Sequence, residues 1–168
     1  TPTPAPVPTP TIPVNSTVIK DPNATAQVSN NANRNNYGNS PRCIFSNLFQ
    51  RDDGLYVRVE YSYDEIHVAV YSQQFELLST SKVPKELSAF GGVYWGEDYN
   101  YIVFGAANPK ESDDVEVARI VMYTKDWVRV NHASFYGSNT YSPFHAGSLR
   151  CTEYNGMIFV LTGKTMYK

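Results

Sequence analysis

Four runs decide the fold: Phe90-Gly91-Gly92-Val93-Tyr94-Trp95, Tyr101-Ile102-Val103-Phe104, Val117-Ala118-Arg119-Ile120-Val121-Met122-Tyr123 and Trp127-Val128-Arg129-Val130. Each is rich in β-branched and aromatic side chains and is bounded by Gly, Asn, Asp or Ser, the composition of strands punctuated by turns. A turn is expected at Tyr99-Asn100 and a polar loop from Asn108 to Asp114. The expected strands are 91–97, 101–107, 116–123 and 127–135, one complete four-stranded antiparallel unit that closes near Ser142.

Pieces of this unit recur on both sides. Val70-Tyr71-Ser72-Gln73-Gln74-Phe75 repeats as Met122-Tyr123-Thr124-Lys125-Asp126-Trp127, an apolar-Tyr-hydroxyl-polar-polar-aromatic pattern. Phe90-Gly91-Gly92 pairs with Phe144-His145-Ala146-Gly147, and Asp53-Gly54-Leu55-Tyr56-Val57 aligns with both Asn100-Tyr101-Ile102-Val103-Phe104 and Asn155-Gly156-Met157-Ile158-Phe159. Asp-Gly and Asn-Gly reach positive φ easily and suit two-residue type I′ hairpin turns. The offsets differ because the loop Asn108 to Asp114 is an insertion where the first unit has Ser62-Tyr63-Asp64, and insertions that spare strand register are the behaviour of repeats. Strands are therefore expected at 43–49, 55–61, 65–71 and 74–80 in a first unit (43–89), in the second (90–143) as above, and at 147–153 and 156–162 in an incomplete third (144–168). Ile66, Val68 and Val70 alternate with His67, Ala69 and Tyr71, as in a half-buried strand, whereas the apolar run Met157 to Leu161 suits a strand covered on both faces. Pro84 to Ser88 is the one short helical turn expected.

Outside the repeats the composition changes. The chain has 168 residues and a net charge of -2, too little basic character for nucleic acid, and no run of the roughly 20 apolar residues that cross a bilayer. Of its 13 Tyr, 8 Phe and 2 Trp, only Tyr37 precedes Cys43. Residues 1–42 begin TPTPAPVPTPTIP and continue rich in Asn, Ser and Thr, so they read as a disordered linker that cannot offset the entropy of ordering. Asn15-Ser16-Thr17 and Asn23-Ala24-Thr25 match the glycosylation pattern. Cys43 and Cys151 read as unpaired thiols, with one long-range disulfide as the alternative.

Units of about 50 residues built of four antiparallel strands resemble β-propeller blades of secreted and cell-surface bacterial proteins. The aromatic after Tyr71-Ser72 and Tyr123-Thr124, and the phenylalanines Phe90 and Phe144 ahead of glycine, are similarly blade-like. The resemblance implies an all-β fold, a partial propeller of about two and a half blades, and further repeats of the same polypeptide; a β-sandwich is the alternative architecture. The Pro/Thr segment resembles the spacers that join modules of such proteins, which implies an extracellular or cell-surface location.

Chemistry is harder to find. His67, His132 and His145 stand alone without metal-ligand spacing, and neither a nucleophile elbow nor a phosphate-cradling glycine loop is present. Glu111, Asp113 and Asp114 could offer oxygen ligands to Ca²⁺, but the segment lacks the alternation and central glycine of a calcium loop and reads better as solvated. Tyr94, Trp95 and Tyr99 form an aromatic-rich stretch of the kind that stacks on sugar rings or anchors a protein, and alternation sends Tyr94 and Trp95 to opposite faces. Tyr141 and His145 lie in the polar-aromatic connection Tyr136 to His145, a second binding candidate. The expected function is a non-catalytic extracellular module that binds polysaccharide or a protein surface. A fragment of a propeller-fold glycoside hydrolase or lyase and a purely structural repeat are the alternatives.

Overall fold

The structure, a computed structural model, describes residues 43–62 and 65–168. The segment 1–42, with its glycosylation triplets, and Tyr63-Asp64 lie outside the described residues. The fold is all-β. Strands β1 (Ser46–Gln50), β2 (Tyr56–Ser62), β3 (Glu65–Tyr71) and β4 (Leu77–Pro84) pair in sequence order as one antiparallel sheet. β5 (Ala89–Trp95), β6 (Asn100–Gly105), β7 (Glu116–Tyr123) and β8 (Arg129–Tyr136) make a second in the same order. β10 (Arg150–Tyr154) and β11 (Met157–Leu161) form a hairpin, and the short β9 (Ser142–Pro143) pairs with β12 (Lys164–Thr165). The helical turn among the described residues is the 3-10 turn His145–Gly147, not Pro84 to Ser88.

The tyrosine motif builds the same hairpin twice. Phe75 N–H donates to the Ser72 carbonyl and Trp127 N–H to that of Thr124; Ser72 and Thr124 N–H donate in turn to the carbonyls of Glu76 and Val128. The hydroxyl is needed because it accepts the turn's spare donors: Ser72 Oγ takes the N–H of Gln74 and Glu76, and Thr124 Oγ1 that of Val128. Phe75 and Trp127 stand at φ 63° and 66°, inside the turn. The fourth strands therefore begin at Leu77 and Arg129, later than the expected 74 and 127. A register shift precedes each turn, between Val70 and Tyr71 and between Met122 and Tyr123.

The turn alignment needs correction in the second unit. Asn100 opens β6 and is fully buried, its amide donating to the carbonyls of Thr124 and Lys125, so the chain turns at Glu97-Asp98. Gly96 N–H closes that turn on the Tyr99 carbonyl. Asn155-Gly156 is the expected two-residue turn, with φ 50° and 71°. Asp53-Gly54 is not: its loop is longer, with Arg51 N–H bonded to the Leu55 carbonyl and Gly54 alone at positive φ.

The two sheets pack face to face. Val57, Val59, Ile66, Val68 and Val83 of the first meet Phe90, Ile102, Phe104, Val121 and Tyr123 of the second, all nearly inaccessible. The second sheet is also covered on its other face, where Tyr101 and Val103 are buried beneath the β10–β11 hairpin. The paired phenylalanines seat successive units. Phe90 stacks on Tyr61 at 4.9 Å, and Phe144, with φ 56°, lies against Gly91 and Gly105. Register makes Gly105 the counterpart of Tyr61, since each stands opposite the equivalent residue of the third strand, Ala118 or Ile66. A Cβ at Gly105 would stand 2.7 Å from both the Phe144 ring and Pro143. Gly105→Ala is accordingly expected to cost about 1–3 kcal/mol by overpacking, read as a lower urea midpoint; an unchanged midpoint would mean that Phe144 does not seat the third hairpin.

One burial expectation fails. Met157, Phe159 and Leu161 are 56%, 49% and 72% exposed, so β11 is covered on one face only, and only Ile158 and Val160 turn inward.

Candidate functional site

The five aromatic and histidine candidates do not converge. Trp95 turns toward the first sheet and stacks on Phe49 at 5.3 Å with a 22° interplanar angle. Lys125, from the β7–β8 turn, lies over the same ring with Nζ 4.4 Å from its centroid, and Trp127 tilts against it. The Trp95 ring is thus packed against Phe49, Lys125 and Trp127. Tyr94 points the opposite way, beside Tyr101, as alternation requires. Tyr99 is 37% exposed at the hairpin tip. Tyr141 and His145 sit beyond the other end of β5, where Tyr141 N–H donates to Thr165, its carbonyl accepts from Asn108, and His145 N–H donates to Gly163.

Around Trp95 the β1–β2 and β5–β6 turns leave an open cleft of ≈ 570 Å³, lined by Gln50 to Asp53, Gly96, Glu97 and Lys125. Its groups are engaged with one another. Lys125 Nζ donates to the Gly96 carbonyl and to Asn100 Oδ1, and burial lowers its affinity for a proton against the pull of Glu153, Asp52 and Asp98. Glu153 crosses from β10 to accept the Glu97 N–H at 2.6 Å and the Tyr101 hydroxyl at 3.4 Å. Burial, then the Glu153 charge, raises the Tyr101 hydroxyl above its ordinary range.

The acidic loop is pinned by Asn108. Asn108 is buried; its Oδ1 accepts the Ser112 N–H and its Nδ2 donates to the Ser112 carbonyl and the Tyr167 hydroxyl. Glu111 accepts the Lys168 N–H, Asp113 accepts the Tyr167 hydroxyl, and Asp114 N–H is bonded to Ser112 Oγ. Glu111, Asp113 and Asp114 therefore serve the loop and the segment that follows β12. Among the described residues no three His, Cys, Asp or Glu side chains converge where a metal ion could sit.

A charged cluster that sequence spacing did not suggest lies at the junction of the sheets. Glu86, from the β4–β5 connection, accepts from Arg119 Nη1, from Arg129 Nε and Nη2, and from the Tyr123 hydroxyl. Arg119 Nε also donates to Glu116 at 2.8 Å. Burial pushes the Glu86 carboxyl up, but the hydrogen bonds from Arg129 and Arg119 outweigh it and hold it below its usual range; at Glu116 the Arg119 bond dominates, to the same end. These bonds tie the β4–β5 connection to β7 and β8. The cysteines are both free, and burial raises both thiols, that of Cys151 to about 11.

What stays exposed is the outer face of the third unit's hairpin. Tyr154, Met157, Phe159 and Leu161 share the outward face of the β10–β11 hairpin, each about half exposed or more. No protein-family model, curated protein or solved structure matches the chain. Beside this face, a groove of ≈ 220 Å³ runs between β7, β8 and β11, its walls including Ala118, Ile120, Phe135, Phe144 and Val160. Turn and strand chemistry foretold the hairpin here; its open outer face was hidden because burial on both sides and burial on one produce the same apolar run. Among the described residues no helix is long and apolar enough to cross a membrane.

Proposed function

We propose that this chain is a non-catalytic protein-interaction module of a modular extracellular or cell-surface protein, made of propeller-type repeats, and that it binds its partner through the outward face of β10–β11. The observation that carries this reading is the row Tyr154, Met157, Phe159 and Leu161, apolar side chains left in water on one face of a two-stranded hairpin. Contiguous exposed apolar surface of this kind marks binding sites, whereas single exposed residues do not. A protein partner is favoured over a polysaccharide because the tryptophan best suited to a sugar ring is already packed against Phe49 and Lys125. The extracellular location rests on the Pro/Thr-rich segment at 1–13.

Presenting the full chain to a glycan array and to a displayed library of strand-forming peptides separates the two ligand classes. Peptides with alternating apolar residues are expected to bind, and the Phe159→Ser/Leu161→Ser double variant to lose about tenfold or more of that affinity. Glycan binding that survives the double variant would overturn the reading.

A further inference from the structure

The outer face of the first sheet departs from the pattern by which the units pack. Register makes Arg58, Glu60 and Ala69 the counterparts of Ile102, Phe104 and Val121. The second sheet buries that apolar trio against the first, each residue 0% exposed. On the first sheet the same positions carry an ion pair and a small residue instead. Arg58 Nη2 meets Glu60 at 2.9 Å, and Glu60 is 2% exposed. Beside them Lys82 and His67 both reach Glu65, at 2.7 and 3.1 Å.

Arg58, Ala69 and Thr80 stand in one row across β2, β3 and β4, with His67 and Lys82 in the next. Alanine at the centre of the row, where the second sheet has valine, leaves room above it. A pocket of ≈ 460 Å³ opens there, its walls including Arg58, His67, Ala69, Thr80 and Lys82, and neither Glu60 nor Glu65 lines it. Arg58 Nε is buried and has no hydrogen-bond partner. A buried donor left without an acceptor is costly, the more so on a charged group, and such exceptions call for an explanation. Residues 1–42 carry Lys20, Arg34 and Arg42 against the single carboxylate of Asp21, so their charge does not complement the pocket.

The geometry points to a carboxylate-binding site in this pocket, where Arg58 Nε–H, the Thr80 hydroxyl and the Lys82 ammonium donate to a short aliphatic acid of the kind an acidic amino-acid side chain presents. Hydrogen bonds from charged donors to a carboxylate are shorter and stronger than neutral ones. A sugar acid fits less well, because no Phe, Tyr or Trp lines the pocket for its ring to stack on. The site belongs to the first sheet and does not depend on the β10–β11 face.

The probe is N-acetylglutamate α-amide, titrated into the full ¹⁵N-labelled chain, with N-acetylglutamine α-amide as its neutral isostere. Saturable shifts are expected at the amides of Arg58, Ala69 and Thr80, together with a downfield movement of the Arg58 Nε–H resonance, and the neutral analogue should bind about tenfold more weakly or worse. Arg58→Lys keeps a cation for Glu60 but removes the Nε donor, and should weaken binding about tenfold. Should that variant lose its native amide spectrum, Thr80→Val/Lys82→Gln, at exposed positions of β4, is expected to weaken binding in the same direction without loss of fold. Equal binding of the two analogues, an Arg58 Nε–H that does not move, or natively folded Arg58→Lys that binds like wild type would overturn the proposal. Tighter binding of glucuronate would overturn it by making a sugar acid the ligand, and tighter binding of the probe by Asp21→Asn by making the chain's own carboxylate the occupant.

Discussion

Phe104→Ala is expected to remove about 3–5 kcal/mol of folding stability, the cost of a large ring deleted from a packed core. Phe104 is fully inaccessible, meets Phe90 edge-on at 6.4 Å, and belongs to the cluster contributed by both sheets. Little can collapse into the space it leaves, because its neighbours Ile102, Val121, Ile66 and Val68 are held in register by their own ladders. Against a typical total of about 5–15 kcal/mol, such a loss leaves a large share of the chains unfolded at moderate denaturant. The control is Phe159→Ala, the same deletion at a side chain 49% exposed, which should shift stability by about 0.5 kcal/mol or less. Equilibrium urea unfolding of both variants decides the matter; equal losses would mean that the two sheets do not share a core.

Glu86→Gln is the second large effect, about 2–3 kcal/mol. The side chain is 13% exposed and receives Arg119, Arg129 and Tyr123, while Arg129 is 43% exposed and contributes the weaker share. Glutamine keeps the shape but removes the charge, leaving Arg119 with Glu116 alone and Tyr123, whose hydroxyl burial and the Glu86 charge hold well above its ordinary range, with a poorer acceptor. The effect has a pH signature. Glu86 and Glu116 bind protons less readily folded than unfolded. Their contribution is therefore complete above the ordinary glutamate value of about 4.3 and is lost as pH falls through their lower folded values. Wild type should lose stability on acidification through that window, and Glu86→Gln should start lower and fall less steeply. Parallel curves would show that Glu86 carries no linked proton.

Legibility in the sequence followed the distance between partners. The tyrosine hairpins could be read because every bond of the turn, from Ser72 to Glu76 and from Thr124 to Val128, closes within a few residues. Tyr99-Asn100 looked like a turn by the same local chemistry and was not, since the buried Asn100 amide finds its acceptors at Thr124 and Lys125. Trp95 looked like a binding platform because Phe49 and Lys125, which cover it, come from a different strand and a different turn. The Glu86 cluster was invisible for the same reason: its arginines stand on β7 and at the start of β8. The third unit was half-legible. Its strands and its Asn155-Gly156 turn are local features, whereas the bare outer face of β11 depends on what is packed against it.

The pairing of β9 with β12 has a consequence for the order in which the chain folds. Among the described residues every other ladder joins strands adjacent in sequence, so each sheet can zip up from its own turns with short loop closures. The β9–β12 ladder, with Tyr141 bonded to Thr165 and Glu111 to Lys168, instead spans the whole β10–β11 hairpin and must wait for it. It is expected to close last and open first, so that in hydrogen exchange the Tyr141 amide should lose protection while those of both four-stranded sheets keep theirs.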